Sequence, residues 1–239
     1  MTLHPQKSVV MHFGHNNPRH SYLLSGSTIA PSDCVKDLGV LINDKCTPVA
    51  HVEHIVKKAN SVLAQIRRTT ISRSMDMVTK LYKTYVRPLV ESSVQAWNPW
   101  LQRDVDRIER IQRRATKLVS GIGSKSYEER IKICNLTTLE ERRKRGDLLE
   151  CYKIMNDYSD NQMRTFFCLA RDRHNVSTRG ATDGLLVPQQ TTLDVRKYFF
   201  SNRVVNIWNE LPSEIRYASS VNTFKNLYDL YMTTMNDTE

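Results

Sequence analysis

The sequence predicts a mainly α-helical protein, a bundle of amphipathic helices with a small antiparallel β element at its N-terminus. Two observations predict this class: several segments carry apolar residues at helical spacing, and β-rich runs are confined to the first 46 residues. No apolar run approaches the ~20 residues that a membrane-spanning helix needs, so no membrane partner is expected. The 239 residues, 40% of them hydrophobic, suffice for one or two domains with a core.

Short β-rich runs separated by turn residues occupy positions 1–46. Residues 7–13, 20–25 and 35–42 each have the composition of one strand, and 14–18 is a turn rich in Gly, Asn and Pro. Because a three-stranded ribbon of this size is marginal by itself, we expect the element to pack on another part of the chain.

Helical periodicity defines a basic domain over residues 47–155. Helices are predicted over 51–68, from Met75 to Pro88, from Asp104 to about residue 118, over 127–133, and from Thr138 to about Met155. Thr138 and Glu141 have capping-box spacing. The second helix is expected to bury Met75, Val78, Leu81, Tyr82 and Tyr85.

Periodicity is lost over residues 156–192, which predicts a loop or linker rich in polar residues and glycine. It returns in 193–239, a C-terminal helical extension. One helix there carries an apolar face that includes Phe200, Val204 and Trp208, and a last helix covers about 221–232.

Positive charge is concentrated in one block of the chain. Residues 51–150 contain 21 Lys and Arg against 12 Asp and Glu, a net charge of +9, whereas the whole chain carries +10. A basic helical block attracts polyanions, and the phosphate backbone of nucleic acid is the usual one. Tyr82, Tyr85, Trp97 and Trp100 could stack on bases, although periodicity favours a core position for the two tyrosines.

Residues for catalysis or metal binding do not form a recognisable set. The five cysteines are odd in number and contain no Cys-x-x-Cys pair. His51 and His54, near Cys46, are three residues apart and lack further ligands at a standard spacing, so a solvated helix start is the favoured interpretation. Asp104 and Asp106 fit the positive end of a helix. We therefore predict no catalytic residue, no metal ligand and no bound cofactor.

Several segments, in the same order along the chain, resemble the reverse transcriptases of non-LTR (LINE-type) retrotransposons. The resemblance covers nearly the whole sequence. The segments that carry it are residues 36–42 (KDLGVLI), 56–60 (VKKAN), 81–91 (LYKTYVRPLVE), 96–100 (AWNPW), 108–117 (IERIQRRATK), 139–148 (LEERRKRGDL) and 199–212 (FFSNRVVNIWNELP).

The resemblance implies that the chain begins near the end of the polymerase palm. Lys7 would follow the active site, where a lysine is proposed to assist nucleotide addition. Residues 36–42 would be the primer grip, a hairpin that holds the primer terminus. The helices from 51 to about 120 would form the thumb, which clamps the template–primer duplex, and the remainder would be the C-terminal extension.

One part of the family pattern is absent from the sequence. The polymerase motif of the family contains Ala-Asp-Asp, whose carboxylates bind magnesium, and this chain has no Asp-Asp pair. In-line phosphoryl transfer needs such metal-bound carboxylates, so we expect no polymerase activity from the chain alone. Met1 falls inside what would be a continuous domain, which indicates a truncated element or an incomplete gene.

The sequence therefore predicts a reverse-transcriptase-derived protein of the cytoplasm or nucleus that retains non-specific binding to RNA, RNA–DNA or DNA duplexes. Alternative interpretations are a helical protein-interaction module and a non-functional relic. The predicted binding residues are Lys57, Lys58, Arg67, Arg68, Arg110, Arg113, Arg114 and Lys117, to which the resemblance adds Lys7, Lys36, Leu38 and Gly39.

Overall fold

A computed structural model describes residues 4–14, 16–158, 161–170 and 184–236. This part of the chain contains ten α-helices and two small antiparallel sheets of two strands each, both near the N-terminus. The predicted fold class, mainly α with a small N-terminal β element, is confirmed. The chain forms two compact units, Met1–Leu139 and Glu140–Glu239.

The β element consists of two hairpins rather than a three-stranded ribbon. Strands β1 (Leu23–Leu24) and β2 (Ser27–Thr28) form one hairpin, and β3 (Cys34–Asp37) and β4 (Val40–Asn43) form the other. The predicted strand over 7–13 is wrong: this segment follows a 3-10 turn and makes only an isolated bridge from Val10.

The interpretation of residues 35–42 as one strand is also wrong. The chain reverses at Leu38 and Gly39, whose φ angles are +42° and +95°. Positive φ at both central residues defines a type I′ turn, whose twist suits a two-residue hairpin.

Five helices follow in the first unit. Their bounds are α1 Val49–Thr69, α2 Met75–Leu81, α3 Val94–Trp97, α4 Gln102–Lys117 and α5 Tyr127–Ile133. Local sequence explains two of the starts. The hydroxyl of Ser74 accepts a hydrogen bond from the amide of Met77 at the start of α2, and Ser126 and Glu129 form a capping box at the start of α5.

Helix α2 continues into a π-helical turn, Tyr82–Val86, and a 3-10 turn, Arg87–Val90. Tyr82 is buried as predicted, but Met75 and Tyr85 are exposed, so their predicted burial is wrong. Met75 lies in the open first turn of α2. A π turn widens the helix and changes which residues share a face, so Val86 and not Tyr85 follows Tyr82 into the core.

The core of the first unit forms around the apolar stripe of α1. Val52, Ile55, Ala59, Leu63 and Ile66 are all buried there. They pack with buried residues of the π and 3-10 turns, of α3 and of α4, which include Val86, Val90, Trp97, Ile108 and Ile111. Fully burying one such side chain stabilises the fold by roughly 1.5–3 kcal/mol, so this stripe fixes the position of α1.

The second unit is built on α6 (Leu139–Met155), α7 (Asp194–Lys197), α8 (Phe200–Asn209), α9 (Ser213–Arg216) and α10 (Val221–Asn236). Tyr152 of α6 stacks on Phe224 at a centroid distance of 4.5 Å and donates a hydrogen bond to the carbonyl of Ala218 at 2.6 Å. The sequence predicted α6 as part of the basic domain 47–155. Most of the apolar side chains of α6 lie instead in the core of the second unit.

The segment 156–192 is described only in part. It contains a 3-10 turn, Asn161–Phe166, and an isolated bridge between Leu169 and Leu186. Residues 159–160 and 171–183 of the predicted loop lie outside the described residues.

Candidate nucleic-acid interface

A stripe of five basic residues runs along the exposed face of α4. Successive members are four, three, four and three residues apart, which is the spacing that keeps side chains on one face of a helix. The opposite face is buried and includes Ile108, Gln112 and Ala115. The stripe consists of Arg103, Arg107, Arg110, Arg114 and Lys117.

Helix α1 packs beside this stripe and runs parallel to α4. Arg107 lies 3.4 Å from the carboxylate of Glu53, and Arg114 donates a hydrogen bond to the side-chain oxygen of Asn60 at 2.8 Å. The second contact lies seven residues after the first in α1 and also seven residues after it in α4, so the two helices run in the same direction. Lys57 lies between Glu53 and Asn60 on the same side of α1.

Arg67 continues that side of α1, and Arg68 adjoins it at the end of the helix. Both side chains are exposed. We refer to the α4 stripe together with Lys57 and Arg67 as the basic ridge. Cations in the last turns of α1 and α4 also stabilise the negative ends of both helix dipoles, which is a structural role compatible with any function.

The cations of the basic ridge are not equally free to bind a ligand. Arg107 lies between two carboxylates, at 3.4 Å from Glu53 and 3.2 Å from the buried Asp104. In contrast, Lys57, Arg67, Arg110 and Lys117 are exposed and have no charged or hydrogen-bonded partner among the described residues. These four are therefore the ridge cations best able to contact phosphate.

Arg113 lies on another flank of α4, away from the ridge. Its guanidinium group sits 4.3 Å from the centre of the Tyr127 ring, a cation–π contact that joins α4 to α5. Part of its charge is thus engaged within the first unit. Its assignment as a phosphate contact stays a prediction.

A buried polar network holds α4 in place beneath the ridge. The Gln112 side chain accepts a hydrogen bond from the Tyr82 hydroxyl at 2.7 Å and donates to the Tyr127 hydroxyl and the Thr137 carbonyl, both at 2.9 Å. The Tyr127 hydroxyl donates to Glu109, whose carboxylate also accepts from the Leu139 amide at 3.0 Å. Burial raises the pKa of both tyrosines well above their usual range.

The remaining predicted binding residues lie elsewhere in the first unit. Lys36, Leu38, Gly39 and Lys58 line one cavity between the β3–β4 hairpin and α1, with a volume of about 230 Å³. Lys7 is exposed at the end of the N-terminal 3-10 turn. The predicted set is therefore divided: the structure brings four residues together at the hairpin, while most of the others lie on the ridge.

His51 connects the hairpin to α1. It is 4% exposed, its Nδ1 accepts a hydrogen bond from the Leu41 amide at 3.1 Å, and its ring lies 5.1 Å from that of Trp97. Burial, with smaller contributions from the positive charges of His54 and Lys36, lowers the pKa of His51 to about 4. The imidazole is neutral at pH 7 and acts as a hydrogen-bond acceptor at the base of the hairpin.

Three residues of the candidate site and its surroundings were not predicted as such from the sequence. Arg103 and Arg107 complete the ridge, and their four-and-three spacing with Arg110 was a readable signal. The sequence favoured a solvated helix start for His51 over a metal ligand. The solvated position is wrong, because His51 is buried and its Nδ1 accepts a hydrogen bond from the Leu41 amide, a contact that nothing in the sequence reports. Within the described residues no group of three or more His, Cys, Asp or Glu side chains is placed to hold a metal ion.

Comparison of the chain with known protein families, with curated proteins and with solved structures finds no match. In the described part of the chain, no helix combines the length and the apolar character needed to cross a membrane.

Proposed function

We propose that this chain binds nucleic-acid duplexes through the phosphate backbone, with the basic ridge as the contact surface. The observation that carries the proposal is the continuous stripe on α4, in which Arg110 and Lys117 are exposed and without partners among the described residues. Lys57 extends the same surface onto α1. Such a surface neutralises phosphates and recognises no particular base, so the binding is independent of sequence.

The dimensions of the ridge suit a duplex backbone. Arg103 and Lys117 are fourteen residues apart, which is about 21 Å along a helix that rises 1.5 Å per residue. Phosphates of one strand follow each other every 3.4 Å along a duplex axis, so the ridge spans about six of them. Contacts at each turn of α4 then hold one strand along the helix.

The resemblance to non-LTR reverse transcriptases supports the same proposal. There, the helices similar to residues 51–120 form the thumb that clamps a template–primer duplex. Under this proposal the chain holds RNA–DNA or DNA duplexes in the cytoplasm or nucleus and catalyses no polymerisation, since it lacks the Asp pair that would bind magnesium.

A pair of charge-reversal variants tests the proposal. Arg110→Glu with Lys117→Glu changes two partnerless cations of the ridge. Lys125→Glu with Lys132→Glu is the matched control, because it changes the net charge equally at two exposed lysines outside the ridge. Binding to a fluorescein-labelled RNA–DNA duplex is measured by anisotropy at 100 mM salt.

We expect the ridge variant to lose at least about 30-fold in affinity, since two phosphate contacts of roughly 1 kcal/mol each become repulsive, and the control to lose less than about threefold. Equal losses would show that only net charge matters, and the ridge would then not be the binding surface. If a polyglutamate competitor displaces the duplex as well as unlabelled duplex does at equal charge, the protein-interaction alternative is favoured instead.

A further inference from the structure

Two cavities open on the side of α1 that does not face α4. The first, of about 230 Å³, lies under the tip of the β3–β4 hairpin. The second, of about 410 Å³, lies between α1 and the π and 3-10 turns that follow α2. Lys58 and Leu89 line both cavities, so the two are neighbours.

The first cavity has the composition of an anion site. Lys36 lines it from strand β3, His54 and Lys58 line it from α1, and Ser92 and Ser93 complete its wall. The Ser92 hydroxyl donates a hydrogen bond to the Pro88 carbonyl. None of its lining residues is acidic. Among the described residues, Lys36 and Lys58 have no ion-pair or hydrogen-bond partner, so their charges remain available to a ligand.

Neighbouring contacts hold the wall of this cavity in place. The Trp97 indole donates a hydrogen bond to the Ser92 carbonyl at 2.7 Å, and Ser93 adopts a φ of +55°. A non-glycine residue in this conformation costs of order 1 kcal/mol and persists where its surroundings determine it. On the other side, the His51–Leu41 hydrogen bond holds the hairpin against α1.

The second cavity is mainly apolar and contains one exposed aromatic ring. Tyr85, which is 58% exposed, lines it beside four aliphatic side chains, Val62, Ile66, Leu81 and Leu89, and four polar residues, Lys58, Gln65, Thr69 and Thr70. An exposed tyrosine beside an apolar cavity is suited to stacking on a planar base, and such a contact contributes about 1–3 kcal/mol to the binding free energy. The volume lies within the roughly 300–1,000 Å³ of small-ligand sites.

We infer that the paired cavities bind a nucleoside phosphomonoester. Its phosphate lies between Lys36, His54 and Lys58, and its base lies against Tyr85. A monoester carries about −1.5 to −2 charges at pH 7, which suits a cavity with two lysines better than the single charge of a phosphodiester. The ligand is either a free mononucleotide or the phosphorylated end of a strand.

This site is independent of the basic ridge. Lys57 and Lys58 are adjacent in sequence, but Lys57 lies on the α4 side of α1 and Lys58 lines the cavities. Loss of one activity therefore leaves the other measurable, and the two proposals can fail separately.

The test is isothermal titration of the full chain with adenosine monophosphate, adenosine and inorganic phosphate. We expect the monophosphate to bind more tightly than either fragment, because only it fills both cavities. Lys58→Ala should weaken monophosphate binding by about tenfold, the loss of one charge-assisted contact, while Lys57→Ala should change it by less than about twofold. Tyr85→Leu should weaken the monophosphate and leave inorganic phosphate unchanged.

Single-stranded oligonucleotides with a 5′-phosphate or a 5′-hydroxyl distinguish the two sources of the ligand. A preference for the phosphorylated strand identifies a strand end, and a preference confined to the free monophosphate identifies a mononucleotide. Equal binding of adenosine and its monophosphate, equal effects of the Lys57 and Lys58 variants, or no binding of the monophosphate at millimolar concentration would overturn the inference. All three substituted side chains are exposed, and circular dichroism verifies that the variants fold.

Discussion

Replacing Gln112 by leucine removes the side chain that joins four parts of the first unit. The amide is fully buried, accepts from the Tyr82 hydroxyl at 2.7 Å, and donates to the Tyr127 hydroxyl and the Thr137 carbonyl at 2.9 Å. Leucine has a similar volume and no polar atom, so the change tests the hydrogen bonds with little loss of packing.

The cost follows from the groups that the substitution leaves unpaired. The Tyr82 hydroxyl is buried and loses its acceptor, which costs about 1–3 kcal/mol. The Tyr127 hydroxyl still donates to Glu109 and loses only a donor, so it adds about 1 kcal/mol. Thr137 is exposed, and its carbonyl can bind water. We therefore expect Gln112→Leu to lower the free energy of unfolding by about 3 kcal/mol.

Urea denaturation at pH 7, followed by circular dichroism, measures this loss. Adding Tyr82→Phe to Gln112→Leu removes the orphaned hydroxyl, so the double variant should recover about 1–2 kcal/mol relative to the single variant. Thr79→Ala, at a side chain that bonds only within its own helix, is the control and should cost less than about 1 kcal/mol. A Gln112→Leu loss below about 1 kcal/mol, or no recovery in the double variant, would refute the reasoning.

Three further predictions concern other contacts. The pKa of His51 is lowered from 6.5 to about 4, so folding favours its neutral form and the protein loses stability as the pH falls below 6.5. Between pH 7 and pH 5 the free energy of unfolding of the wild type should fall by about 2 kcal/mol more than that of His51→Asn. The side-chain oxygen of asparagine can replace Nδ1 as the acceptor and does not titrate in this range. Equal pH profiles in urea titrations would contradict this. At the hairpin turn, Gly39→Ala should lower the free energy of unfolding by about 1 kcal/mol. Its φ is +95°, and nothing crowds the added methyl group, so the loss comes from backbone strain alone. Leu38→Asn should raise the free energy of unfolding by about 0.5 kcal/mol, because asparagine adopts positive φ more readily than leucine. Thermal melts that show both variants equal to wild type would argue against the type I′ turn. In the second unit, Arg203 donates two hydrogen bonds of 2.9 Å to the buried carboxylate of Asp147. Arg203→Met leaves that charge buried without this partner and should lower the free energy of unfolding by about 3–5 kcal/mol, and adding Asp147→Leu should recover most of the loss. A double variant as unstable as the single variant would show that burial of the Asp147 charge is not the cause.

The parts of the fold that the sequence predicted are those determined by local pattern. The stripe from Val52 to Ile66 has helical period and became α1, and 127–133 became α5 with unchanged bounds. Composition alone predicted one strand over 35–42, although the resemblance implied a hairpin there, because the turn uses a leucine at positive φ. Leucine rarely adopts this conformation, and composition does not reveal it. The π turn at Tyr82–Val86 likewise exposes Tyr85 without a local signal.

The candidate binding residues were chosen from the sequence by residue type, and the structure supplies their positions. Arg110, Arg114 and Lys117 were identified from charge alone and lie together on α4. Lys57 and Lys58 were treated as equivalent, although they lie on different sides of α1. Which side meets α4 and which meets the hairpin depends on tertiary packing around the α1 core, and a single sequence does not contain this information.

The dependence of duplex affinity on salt tests the central claim most directly. If Lys57, Arg110 and Lys117, with part of the charge of the other ridge residues, neutralise three to five phosphates, the slope of log K against log salt concentration should be about −3 to −4.5. The ridge variant should reduce the magnitude of that slope by about 2, one unit for each cation removed. A wild-type slope near zero, or a ridge variant with the wild-type slope, would contradict the account.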